Sequence, residues 1–352
     1  RNVIINGAMQ VAQRGTSTAS ITTAGYYTAD RWLIQISTLG TWTQSVEADA
    51  PTGSGLRSSL KMLCTTADAS PAADDLLFVN QTLEGQNVQQ FLKGAASAKQ
   101  FSVSFWVKSN VTGTYICGLQ DFDNTRFVAA SYSISTSGTW EKKTITFPAD
   151  TAGVLDNDNN ASLNIRWWLG AGSNRTSGTL GTTWASVTAA NLAVGQTNLA
   201  SATNNYWQIT GVQVEEGSVA TPFEFEDIGT TLVKCQRYYY RNNSSEGTGL
   251  YAIFGFGQGD TTTNVEGYIP FPVKMRTAPT SIDVTATASN YAYYGGASVK
   301  TCTSVPVWAS ANSNPLAQGV SFRSTSNAIV GRAYQLLANA NNTAYIGFSA
   351  EL

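Results

Sequence analysis

From residue 101 to 108 the chain reads Phe-Ser-Val-Ser-Phe-Trp-Val-Lys. Only an extended strand sorts such a two-residue alternation into one apolar and one polar face. Phe101, Val103, Phe105 and Val107 share one face, and Ser102, Ser104, Trp106 and Lys108 share the other. Residues 162–169 follow the same rule, with Leu163, Ile165, Trp167 and Leu169 opposed to Asn164, Arg166 and Trp168. Residues 140–147 form a third such run, with Lys142 and Lys143 near its middle. Gly, Asn, Ser and Thr turns separate runs of this kind along the whole chain, and no longer internal period emerges. That pattern belongs to sandwiches and barrels, not to helical bundles, propellers or solenoids.

Residues 207–226, WQITGVQVEEGSVATPFEFE, mark a boundary. Their first half is an amphipathic strand. A Glu-Glu-Gly turn at 215–217 follows, then Thr221-Pro222, where proline withholds a ladder donor and stops pairing. The expected fold is therefore all-β. An N-terminal jelly-roll β-sandwich fills residues 1–225, a helical linker 226–241, and a smaller β domain 242–352. Ile228, Leu232, Cys235 and Tyr239 form one apolar stripe of the short helix, with Asp227 placed to cap it. Tyr238, Tyr239 and Tyr240 splay about 100° apart on a helix. With Ile228 and Leu232 they are the candidate subunit contacts, the tyrosines expected to reach both domains and a neighbouring subunit; the alternative is that they open the next strand. Residues 268–276 and 344–352 read as strands of the second domain, the first confined to a sheet edge by Pro270 and Pro272.

Charged residues make up 12 % of the 352 positions, about half the usual fraction, and the net charge is −2. No Lys/Arg run is available for phosphate neutralisation, so nucleic acid is not an expected partner. No apolar run is long enough for a membrane-spanning helix, so membrane insertion is not expected either. A Ser/Thr/Asn/Gln-rich surface instead suits tight β assemblies and glycans. Cys64, Cys117, Cys235 and Cys302 lie far apart without a Cys-x-x-Cys, and are expected to be reduced and buried, as in a reducing cytoplasm. The sequence opens on Arg1, which leaves room for an upstream attachment segment.

The chain has no histidine. That removes Ser-His-Asp triads, Cys-His pairs and His-ligated zinc, and no Gly-Lys-Ser/Thr phosphate loop is present. Carboxylate pairs remain for glycosidase-type chemistry: Asp121 with Asp123, Glu215 with Glu216, and Glu224 with Glu226. Such pairs are commonly solvated loop charges, and the chain is not expected to be an enzyme. Asp156, Asp158 and Asn160 place oxygens at alternate positions like the start of a calcium loop. The turn glycine and later Glu of that loop are missing, so it is no EF-hand, and an Asn/Asp turn capping its own backbone is the plainer account of the tract. No other cofactor is implied. Aromatics are the best candidates for recognition. Trp106 and Trp168 lie opposite the aliphatic faces of their strands, and Arg166 and Asn164 share the face of Trp168. If the two strands are neighbours, these four would form a glycan platform; otherwise a covering loop or a subunit interface accounts for the rings. Trp32, Trp140, Trp167 and Trp207 are expected in the core.

Four stretches together resemble phage tail-fibre and other virion-surface proteins. They are 2–15 (NVIINGAMQVAQRG) with 27–32 (YTADRW), the closure at 207–225, 235–241 (CQRYYYR) and the terminal 345–352. The first domain is also similar to the jelly roll of carbohydrate-binding modules. The resemblance implies a tail fibre or fibre tip, often homotrimeric, that joins other virion proteins and displays host cell-surface glycan sites. A capsid decoration or head-fibre protein, or a polysaccharide-degrading tail enzyme, are the alternatives. Its expected place is the virion surface, after assembly in the host cytoplasm.

Overall fold

The computed structural model describes residues 2–246, 251–296, 298–309, 313–325 and 328–352. It contains two compact units, Arg1–Thr231 with Leu352, and Leu232–Glu351. The first is an all-antiparallel sandwich. Its strands are β1 Ser17–Ile21, β2 Gly25–Tyr26, β3 Leu33–Ser37, β4 Thr41–Glu47, β5 Ser59–Thr66, β6 Leu76–Glu84, β7 Phe101–Ser109, β8 Gly113–Asp121, β9 Arg126–Ile134, β10 Glu141–Phe147, β11 Ala161–Ala171, β12 Ala185–Ser186 and β13 Tyr206–Glu216. One sheet has the order β1-β4-β5-β13-β7-β10 and the other β12-β9-β8-β11-β6-β3-β2.

The alternation seen in sequence becomes the two inner faces. Phe101, Val103, Phe105 and Val107 of β7 are wholly buried, as are Leu163, Trp167 and Leu169 of β11. The sheets meet where Phe105 stands edge-on to Trp167, ring centres 5.6 Å apart, and Trp167 in turn packs on Trp32 at 5.7 Å. Trp32 and Trp207 are core residues as expected, whereas Trp140 is half-buried and donates its Nε1–H to Asp49 over 3.1 Å.

The N-terminal motif is a clamp. Asn6 adopts a left-handed backbone (φ 58°) and is buried. Its Nδ2 donates to the carbonyls of Val11 and Asp30, while its Oδ1 accepts from the amides of Gln10 and Val11. Trp32 Nε1 donates to the Asn6 carbonyl, so residues 2–15 and 27–32 are one structural feature. The segment then lies along β13: Val3 N–H donates to the Val214 carbonyl, and Val212 N–H to Gly7. Gly7 must lack a side chain, since a Cβ there would come within 2.2 Å of the Val212 oxygen.

Helix α1, Ser173–Thr176, sits in a long loop after β11, and helix α2, Ile228–Gln236, crosses the boundary between the units. The Asp227 carboxylate accepts from the amides of Gly229 and Thr230, the expected cap. The helix ends sooner than the linker 226–241 supposed, because Tyr239 and Tyr240 open strand β14, Tyr239–Asn243.

The second unit continues with β15 Ile253–Gly259, β16 Asn264–Pro270, β17 Ser281–Val284, β18 Tyr291–Tyr294, β19 Val299–Thr301, β20 Val307–Trp308, β21 Ala317–Arg323, β22 Ala333–Ala338 and β23 Tyr345–Ser349. They form a sheet β14-β23-β17 and a sheet β19-β18-β22-β15-β16-β21-β20. The edge position expected for residues 268–276 is corrected: β16 lies between β15 and β21, and Pro270 is tolerated because it is the strand's last residue.

All four cysteines are buried and unbridged. Burial pushes the Cys302 thiol up to about 12. No helix among the described residues is long and apolar enough to cross a membrane.

Candidate functional site

On the outward face of the seven-stranded sheet the alternation of β6, β8 and β11 turns polar side chains together. A cleft of about 510 Å³ opens there, floored by Asn80, Thr82, Gln120, Asn164 and Arg166 beside the Phe78 ring. Register makes the cluster: Arg166 stands opposite Asn80 on one side and Gly118 on the other. Gly118 leaves its place to the Phe127 ring, which a Cβ at that glycine would meet at 2.5 Å. The Arg166 guanidinium then lies over Phe78 at 4.7 Å and Phe127 at 5.8 Å. Its Nε donates to Asn164 Oδ1 over 2.9 Å, an Nη donates to Gln120 Oε1, and Asn164 Nδ2 donates to Thr82 Oγ1 over 2.8 Å.

Residues 172–197, which include α1 and β12, shelter one side of the cleft through Arg175, Val187 and Leu192. Beneath them a small second core gathers Phe78, Ile116, Phe127, Ala129, Trp168, Leu192 and Ala193. Two buried polar atoms of the lining have no hydrogen-bond partner, Asn80 Oδ1 and Trp168 Nε1. A buried acceptor without a donor is destabilising and marks a place that a ligand or ordered water can satisfy.

Three of the four predicted platform residues, Asn164, Arg166 and Trp168, therefore line one cleft. Trp106 does not join them, because β7 belongs to the other sheet. It lies half-buried across from Thr210 and Lys142, against Gly211. Nor is Trp168 an open platform: it is 1 % exposed, tilted against Phe78 at 4.8 Å beneath the covering loop. The sequence reading missed Asn80, Thr82, Gln120, Phe78 and Arg175. Residues 76–84 read as four apolar residues and then three polar ones, so no alternation singles out Asn80 and Thr82, and their pairing with β11 is a long-range register that local pattern does not contain.

Several of the remaining candidates have structural partners. Lys93 Nζ is wholly buried between the carboxylates of Asp121 and Asp150 (2.9 Å to the latter). It also donates to the carbonyls of Ala152 (3.3 Å) and Gly153 (2.9 Å), and lies 4.8 Å over the Trp184 ring. Arg126 grips Asp150 with both ends of its fork, at 2.7 and 2.9 Å. Burial alone would raise the Asp150 carboxyl, but the hydrogen bonds from Arg126 and Lys93 outweigh it and hold the group below its usual range. Asp123 accepts from Ser162 Oγ and the Asp156 amide, and Glu215 is buried against Thr221 and Gln213. None of the carboxylate pairs lines the cleft.

In the Asp156–Asn160 tract, Asp158 accepts from the amide and side chain of Asn160, so the turn is tied to itself. Among the described residues no three or more His, Cys, Asp or Glu are grouped to hold a metal. Of the candidate subunit contacts, Tyr238 and Tyr239 are 1 % exposed and unable to face a neighbour. Tyr239 donates to Asp283 over 2.7 Å, and Tyr240 meets the Phe271 ring at 6.0 Å. Leu232 is half-buried, and Ile228 remains 51 % exposed.

No family model and no curated protein matches the chain. Among solved structures it is similar to the enzymatically active domain of tailspike protein 4 of bacteriophage CBA120, at 13 % identity and TM-score 0.33, covering 61 % of this chain and 21 % of that one. It is also similar to a putative sugar binding protein from Bacteroides thetaiotaomicron, at 12 % identity and TM-score 0.33, covering 61 % of this chain and 100 % of that one. A third similar structure is the CBM22-1 xylan-binding domain from Paenibacillus barcinonensis, at 9 % identity and TM-score 0.29, covering 60 % of this chain and 99 % of that one.

Proposed function

We propose that the chain is a phage virion-surface protein, a tail fibre or its tip, that holds a host-surface glycan in the cleft of the seven-stranded sheet. The observation that carries the binding reading is the cleft's composition. Aromatic and aliphatic side chains sit beside amide, hydroxyl and guanidinium groups, and Asn80 Oδ1 is left without a donor. A sugar offers the complement, C–H patches for the apolar walls and hydroxyl donors for the acceptors. The candidate catalytic carboxylates lie elsewhere, which supports binding rather than hydrolysis at this cleft. The virion assignment rests on the sequence resemblance and the low-charge β surface.

Replacing Asn80 with Ala removes an acceptor that has no partner in the chain, so stability should change by no more than about 1 kcal/mol. Affinity for an immobilised host-surface polysaccharide should fall about tenfold, one hydrogen bond's worth. Retention that Asn80→Ala leaves untouched would remove the cleft from the reading, and no retention of any surface polysaccharide would remove the reading itself. New reducing ends appearing during incubation would favour the degrading-enzyme alternative.

We further propose a homotrimer, in which weak sites repeated by symmetry gain avidity. The exposed Ile228 is the remaining contact candidate with an outward side chain. Light scattering at micromolar concentration should report about three times the 37.5 kDa chain mass. A monomer would refute self-assembly by this chain.

A further inference from the structure

We infer that the cleft selects an anionic sugar, whose carboxylate docks on Arg166; this rests on the glycan-binding reading above. Arg166 is 6 % exposed. Burying a cation is costly unless an opposite charge accompanies it. Among the described residues no ion pair forms at Arg166 and no Asp or Glu side chain lines the cleft; Leu352, the last residue of the sequence, also lines it, and its oxygen accepts from the Tyr26 hydroxyl over 3.0 Å. The groups around the guanidinium are neutral, two amides and two aromatic faces. They hold the fork in place without neutralising it. Of the five N–H donors of an arginine, Asn164 and Gln120 engage two. The rest are available on a residue that lines the opening.

Burial pulls the Arg166 guanidinium down to about 9, so it is still charged at neutral pH. Arg175 adds a second cation to the same cleft, and its own carboxylate contact is a loose, exposed one to Asp74 at 3.6 Å. A neutral sugar could meet the hydrogen-bonding capacity of this site but not its charge. An anionic sugar meets both, through charge-assisted bonds roughly twice as strong as neutral ones. Asn80 Oδ1 would then accept from a neighbouring hydroxyl, and the aromatic wall would take the ring's C–H face.

The test uses the full chain and matched polymers: polygalacturonate, alginate, hyaluronan and polysialic acid, each beside its carboxyl-reduced form, with dextran phosphate as a second anion. At least one acidic polymer should bind tenfold or more tightly than its reduced partner, and the difference should shrink as NaCl rises. Arg166→Gln should abolish the preference. Should that variant not fold, Arg175→Gln, on a partly exposed side chain, should weaken the acidic polymer several-fold and leave a reduced one unchanged. Equal binding of acidic and reduced forms overturns the inference but leaves glycan binding standing. No binding to any polymer overturns both. Tightest binding to dextran phosphate overturns the carboxylate assignment.

Discussion

Lys93→Met should destabilise the first unit by about 3–5 kcal/mol, the range seen when one partner of a buried ion pair is removed. The ammonium has no solvent to fall back on, and neither have its partners. It sits among two carboxylates and two backbone carbonyls with a tryptophan ring across its face. Methionine fills much of the same volume but returns none of the charge. Asp150 would keep Arg126, whereas Asp121 would keep only the Asn124 donors against a dry wall. For a unit of this size the loss corresponds to a melting temperature lower by roughly 6–20 °C. Differential scanning calorimetry reads it directly, and a melt within a degree or two of the parent would show that the cluster is dispensable.

Trp168→Ala is expected to be comparably severe, about 3–5 kcal/mol, because a buried tryptophan leaves a cavity that the covering loop cannot close. Its ring carries the small core that pins residues 172–197 over the sheet, against Phe78, Leu192 and Ala193. Urea unfolding followed by circular dichroism should show the shifted midpoint. Trp106→Ala, at a half-buried ring on the opposite sheet, should shift it much less. An unchanged midpoint for Trp168→Ala together with lost glycan binding would instead make the indole a recognition surface.

How far the sequence could be read follows from the range of the interactions. Alternation along one strand is local, so the buried faces of β7 and β11, and the shared face of Asn164, Arg166 and Trp168, were legible. Which strands become neighbours is not local. Trp106 and Trp168 looked equivalent in their own strands, yet β7 and β11 lie in different sheets. The same gap hid Asn80 and Gln120, which reach Arg166 through pairing of β6 and β8 with β11. The tyrosine run was ambiguous because nine helical residues end just before it, and the partner that makes 239–243 a strand is more than a hundred residues away. Lys93 gave no signal at all, since its oxygens come from residues 121, 150, 152 and 153.

The place of β13 has a consequence for biosynthesis. It is the last strand of its sandwich to leave the ribosome, yet it sits in the middle of its sheet, between β5 and β7. The N-terminal segment also waits for it: Asn2 and Val3 donate to the carbonyls of Val212 and Val214, and Val214 N–H donates to Asn2 Oδ1. Until that strand arrives, β1-β4-β5 and β7-β10 are two fragments, each with an open edge facing the gap. Such edges recruit strands from any nascent chain close by. A polysome crowded with copies of this protein is the setting in which the gap is most exposed to strands from other copies, and completion of residues 206–216 is the event that closes it.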